Sequence, residues 1–169
     1  MQRFVDSVRE SLAIENWYSA LMVAVALPDV CGHLESPKMG SATRYQVWFV
    51  RYLANRYKHA IGAAGMEHVF LSAADCYALR CALLHEGEDK IIAQRSRDIL
   101  ERFHFTRPLV LQATHCNYFR TPTGDVLQLD VKTFCEDICQ GVEKWLSDMM
   151  GNKDVQSQMA SLATIYRDL

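Results

Sequence analysis

The sequence predicts a mostly α-helical protein: an up-and-down helical bundle with a small antiparallel β-hairpin inserted before the C-terminal helices. Three observations carry this expectation. Apolar residues recur at helical spacing, as in Phe4, Val8 and Leu12 and in Phe134, Ile138, Val142, Trp145 and Met149, the pattern of helices with one buried face. Capping residues open the helical stretches, most clearly Ser72-Ala73-Ala74-Asp75, where a Ser and an acid three residues on satisfy free amides of the first turn. Only residues 102 to 131 change to short β-rich runs. The chain has 169 residues, 50% hydrophobic and 22% charged, which suits a single domain around one core. Neither a repeat nor a low-complexity linker divides it.

The first helix is expected over residues 3 to 26. From Trp17 onward it is apolar nearly all round, so it reads as the most buried helix. Pro28 is expected to kink or end it, with a short turn at 29 to 34 and a loop at 35 to 40. A second helix is expected from Ser41, as N-cap, to about His59. Its buried side would comprise Val47, Trp48, Val50, Leu53 and Tyr57. Arg44, Arg51 and Lys58, spaced by seven, would line the opposite stripe. Gly62-Ala63-Ala64-Gly65 breaks the pattern. The third helix runs from Ser72 to His85, with Gly87 as its stop. Residues 89 to 100 read as a short helix or an irregular link.

Four short strands are expected next, around Phe103-His104-Phe105, Leu109-Val110-Leu111, Tyr118-Phe119 and Val126-Leu127-Gln128-Leu129. Thr121-Pro122-Thr123-Gly124-Asp125 is the turn between the last two. Asp130 or Thr133 then caps a long helix to about Met149. A last helix, residues 154 to 167, carries Val155, Met159, Leu162 and Tyr166.

Charge and motifs exclude several function classes. The formal net charge is −2 and the isoelectric point near 6.3, so nucleic-acid contact requires a local basic patch. The N-terminus lacks a basic-then-apolar leader. The longest apolar run, residues 17 to 27, is short of the roughly 20 residues that span a bilayer. A cytoplasmic protein without a membrane partner is therefore expected. Six cysteines are read as reduced, mostly buried thiols. Cys31-Gly32-His33, His115-Cys116 and the Cys135/Cys139 pair lack the close paired spacing of zinc sites. No glycine-rich phosphate loop, nucleophile elbow or dinucleotide fingerprint is present. Neither metal nor cofactor is expected.

The segment Leu79-Arg80-Cys81-Ala82-Leu83-Leu84-His85-Glu86-Gly87 offers chemistry. Metal-free RNA cleavage needs a base for the ribose 2′-hydroxyl, an acid for the leaving oxygen and a cation for the phosphate. A His, with an ordinary pKa of about 6.5, serves as base or acid at neutral pH. An Arg offers phosphate a planar fork of donors. Five residues along a regular helix turn through about 500°, leaving Arg80 and His85 roughly 140° apart. A break near Leu84, or pairing of two chains about a two-fold axis, would bring them together. A second candidate is the basic stripe of Arg44, Arg51 and Lys58, with Arg56 and His59 nearby, as a phosphate track. Tyr45, Tyr52 and Tyr57 interleave with it as stacking groups, although a solvated helix face explains the same pattern. Asp75 is explained by its capping role.

Arg80 and His85 resemble the Arg-x4-His signature of the HEPN superfamily, helical-bundle domains that include metal-independent ribonucleases of toxin–antitoxin, phage-defence and RNA-processing systems. The resemblance covers about ten residues strongly and the surrounding helical layout weakly. It implies a homodimer, RNA or a nucleotide as ligand, and an antitoxin-type protein partner. It also implies His85 as proton-transfer group and Arg80 as phosphate clamp. The position after the Arg is often polar in these nucleases; here it is Cys81, a weak donor. The alternative is a non-catalytic nucleotide- or RNA-binding or dimerisation module. Arg80, His85, Arg51 and Arg56 gathered around a cleft would favour the enzyme. Arg80 held by an internal carboxylate, with His85 at an open surface, would favour the alternative.

Overall fold

A computed structural model describes residues 1–62, 65–91, 100–108, 115–122 and 124–165. The expected first helix is two: α1 (Gln2–Ala13) and α2 (Trp17–Glu35). Glu15 takes a left-handed conformation, φ 57°, and the Asn16 side chain accepts the Ser19 N–H at 3.3 Å to start α2. The break lets α1 fold back onto α2. Of the kink or end expected at Pro28, the end does not occur, and the expected turn at 29 to 34 is helical, since α2 continues to Glu35. Contacts with α1 and with the helices introduced below hold α2 along its length, and that packing offsets the hydrogen bond Pro28 cannot make. The resulting helix is long and apolar enough to cross a membrane by length and composition, with about 56% of that stretch buried inside the protein.

Helix α3 (Ser41–Tyr52) is shorter than expected. It is followed by a 3₁₀ turn, Ala54–Tyr57, and a hairpin of β1 (Lys58–Ile61) and β2 (Met66–Val69). Gly40 is the N-cap, and Ser41 is the first helical residue. The buried side of α3 is Tyr45, Trp48 and Phe49; Val47 and Val50, expected inside, are exposed. The crossing of α2 and α3 is close at Gly32, where a Cβ would lie 3.0 Å from the Arg44 carbonyl oxygen.

Helix α4 (Ala73–Cys81) opens on the expected cap: Ser72 Oγ accepts the Asp75 N–H at 3.0 Å. A π-helical turn, Ala82–Glu86, extends it to Gly87, which is left-handed at φ 69°. The strands β3 (Arg102–Thr106), β4 (Asn117–Thr121) and β5 (Gly124–Asp130) form a sheet in the order β3-β5-β4. The antiparallel β4–β5 hairpin is the expected one. The parallel pairing of β3 with β5 departs from an all-antiparallel insertion. The expected strand at 109–111 and most of the 89–100 link lie outside the described residues.

Helix α5 (Val131–Asp148) is capped by Asp130, which accepts the Thr133 N–H at 2.7 Å. Its stripe of Phe134, Ile138, Val142 and Trp145 is buried as expected. Gly141 leaves room for the Trp48 ring, since a Cβ there would approach it to 2.9 Å. Helix α6 (Lys153–Ala160), capped by Asn152, ends before the expected Arg167. The molecule is thus mostly helical, with small sheets. All six cysteines are free, and Cys31, Cys76, Cys135 and Cys139 are buried.

Candidate functional site

The π turn decides the geometry of Arg80 and His85. The Gly87 N–H bonds to the Ala82 carbonyl, five residues back, and the Glu88 N–H reaches the same oxygen at 3.2 Å. A turn closed five residues back is wider than an α turn and brings residues five apart onto one side. Arg80 Nη1 accordingly lies 3.2 Å from His85 Nε2. A guanidinium has only donors, so in this contact His85 Nε2 is the acceptor. Buried Ala82 and Leu83 fix the inner side of the turn, while His85 is exposed on the outer side.

Asp29 of α2 organises the other end of Arg80. Its carboxylate accepts Arg80 Nη2 at 2.9 Å, Arg44 Nε at 2.7 Å and the Ser41 hydroxyl at 3.1 Å. Arg44 also donates to the Met39 carbonyl at 3.1 Å. The side chains of Asp29, Arg80 and Arg44 are 12%, 17% and 18% exposed, so this is a half-sealed cluster of two cations on one anion. The three charges of Asp29, Arg44 and Arg80 sum to one positive charge. Among the described residues Arg80 Nε is buried without a hydrogen-bond partner, and Cys81 Sγ lies 3.9 Å from Arg80 Nη1. Burial pushes the nearby Tyr77 phenol above its ordinary pKa, with hydrogen bonds to Ser41 and Cys81 acting in opposite directions.

The expected phosphate-binding residues divide. Arg44 belongs to the Arg80 cluster. Arg51, two turns further along α3, pairs with Glu35 at 2.8 Å and lies over the Tyr52 ring. Arg56 donates to Asp137 at 2.7 Å and Gln140 at 2.9 Å. Lys58 is on β1, 4.0 Å from Glu67. The stripe of Arg44, Arg51 and Lys58 is therefore not continuous, because α3 ends before Lys58. Tyr45 and Tyr57 are fully buried and present no ring for stacking. Asp29 was not among the expected site residues; its signal was a lone acid just after the central apolar run.

A second polar cluster surrounds Asp137. Its carboxylate accepts the Tyr57 hydroxyl at 3.1 Å as well as Arg56, and His115 Nε2 is 3.7 Å away. Burial lowers the His115 pKa, against the opposing pull of Asp137.

Compared with protein-family models, curated proteins and solved structures, the chain has no match in any of the three.

Proposed function

We propose that the protein is a HEPN-like endoribonuclease that cleaves RNA without a metal, with Arg80 and His85 as its reacting pair. The observation that supports this best is the 3.2 Å contact between Arg80 Nη1 and His85 Nε2. When an RNA phosphate arrives, Arg80 Nη1 turns from the imidazole to a phosphate oxygen. His85 Nε2 is then free to take the 2′-hydroxyl proton. The 2′-oxygen attacks phosphorus, the bond to the 5′-oxygen breaks, and that oxygen must gain a proton. The products are a 2′,3′-cyclic phosphate and a 5′-hydroxyl. Asp29 occupies only Arg80 Nη2, so Nη1 is the donor that reaches the phosphate. Base and acid are both required, and one chain supplies one His85. A homodimer that brings a second copy's His85 to the cleft completes the set, and an antitoxin-type protein would act by covering that cleft.

A non-catalytic nucleotide- or RNA-binding module is the second reading. It is favoured by the Arg80–Asp29 ion pair at 2.9 Å, by exposure of His85 and by the positions of Arg51 and Arg56 away from the cluster. Incubation with total RNA in excess chelator separates the two. Cleavage by the wild type that is lost in Arg80→Ala and His85→Ala variants of unchanged fold supports the nuclease. Binding without cleavage supports the module.

A further inference from the structure

A cavity of about 410 Å³ opens between the end of α3, the β1–β2 hairpin and the start of α4. Its walls are mostly apolar, from Phe49 and Val50 of α3, Val69 of β2, Leu71 and Leu100. Phe49, Leu71 and Leu100 are buried, whereas Val50 is 62% and Val69 43% exposed. The helical spacing of α3 predicts Val50 to lie inside, yet the fold leaves it open at the cavity's edge. Apolar side chains left open around an apolar cavity mark a binding surface. The volume lies within the range for small-molecule sites.

Charge selects the occupant. Lys58 and Val69 are directly opposite in the hairpin, so their side chains share one of its faces, and both line the cavity. Lys58 pairs with Glu67 at 4.0 Å, the longest ion pair among the described residues, and Glu67 is 70% exposed. This lysine is therefore loosely held, and its ammonium brings three donors. Asp75, the acid in the lining, is already engaged. It is 2% exposed and accepts the Ser72 hydroxyl at 3.0 Å within the α4 cap. His68 also lines the cavity, with its ring centroid 4.6 Å from that of Phe70 and 5.5 Å from that of Tyr118. An occupant thus needs an apolar body for the walls and an anionic head for Lys58. One ammonium matches a singly charged carboxylate, whereas a phosphate calls for a fork of donors or several cations.

We infer that the cavity binds a carboxylic acid with an apolar chain. The chain lies against Phe49, Leu71 and Leu100, and the carboxylate pairs with Lys58 in place of Glu67. The inference is independent of the RNA reading of Arg80 and His85. It also gives a ligand to Lys58, which the sequence groups with the phosphate-binding residues and the end of α3 sets apart from them.

The test is titration calorimetry of the full chain with octanoate, decanoate and dodecanoate, each below its micellar concentration. Octanol supplies the chain without the charge. Affinity for the acids is expected to rise about fourfold per added methylene until the cavity is full. Octanoate is expected to bind more tightly than octanol. Lys58→Met is expected to lose about tenfold in affinity for octanoate, the scale of one charged hydrogen bond, and to leave octanol unchanged. Val69→Asp, at an exposed position, is expected to weaken the acids and the alcohol alike. Absence of binding by all three acids overturns the inference. So does equal octanoate affinity in Lys58→Met, or an affinity that neither substitution moves, which would assign the acids to another surface. A dimer in sedimentation that Val69→Asp abolishes, with no uptake of acid, gives the cavity to a second copy instead.

Discussion

Arg80 and His85 are five residues apart and meet at 3.2 Å because the turn between them is π-helical. On a regular helix they would diverge by roughly 140°. The wide turn and the left-handed Gly87 that ends it, φ 69°, are therefore part of the site. Gly87→Ala places a Cβ on a left-handed residue, at about 1 kcal/mol. The expected result is a modest fall in thermal stability with a disproportionate fall in any Arg80-dependent RNA cleavage. Equal activity at reduced stability would detach the turn from the chemistry.

Asp29 should be the most costly polar side chain to lose. Asp29→Ala leaves two half-sealed guanidiniums without their shared anion, and breaking a buried ion pair from one side costs about 3 kcal/mol or more. Urea denaturation is expected to show that loss. A change below about 1 kcal/mol would mean that water already screens the cluster.

The close crossing of α2 and α3 gives a prediction with an internal control. In Gly32→Ala the new Cβ meets the Arg44 backbone at 3.0 Å, and backbone cannot swing aside. Overpacking of this kind costs about 1–3 kcal/mol. Among the described residues nothing lies within 4 Å of the Gly151 Cβ position, so Gly151→Ala is expected to be close to neutral. Equal stability of the two variants, by urea denaturation, contradicts the packing described.

Stability should fall with mild acid through His115. Its pKa is lowered by burial from the ordinary value of 6.5, so the unfolded chain takes up its proton first as the pH drops. The contribution is fully present above 6.5 and is lost as the pH falls from there through the lower folded value. His115→Gln is expected to flatten the change in urea midpoint between neutral pH and about pH 5. Glu136, held below 4.5 chiefly by its hydrogen bond to Arg9, acts in a separate window: its contribution is present above 4.5 and lost as the pH falls further. An unchanged slope in His115→Gln would assign the first window to other groups.

Local rules were enough wherever local chemistry decides. The Ser72 cap, the Gly87 stop, the Asp130 cap and the buried stripe of α5 could all be read in the sequence. So could Arg80 and His85 as a pair, since the two lie on one short segment. Features set by packing could not. Pro28 ends a helix in isolation, yet α2 runs through it because neighbouring helices hold both sides. Every residue of β1 is exposed, so no alternation announces the β1–β2 hairpin. The parallel partner of β3 lies more than twenty residues along the chain. Asp29 is 51 residues from Arg80 and 15 from Arg44, and a spatial meeting of that kind leaves no periodic trace.

The most direct test of the central claim is the chemistry of RNA ends after incubation in excess chelator. Transesterification by Arg80 and His85 predicts fragments ending in 2′,3′-cyclic phosphate with 5′-hydroxyl partners, produced by the wild type and absent with His85→Ala and Arg80→Ala. Intact RNA with the wild type, or the same fragments from all three proteins, would contradict it.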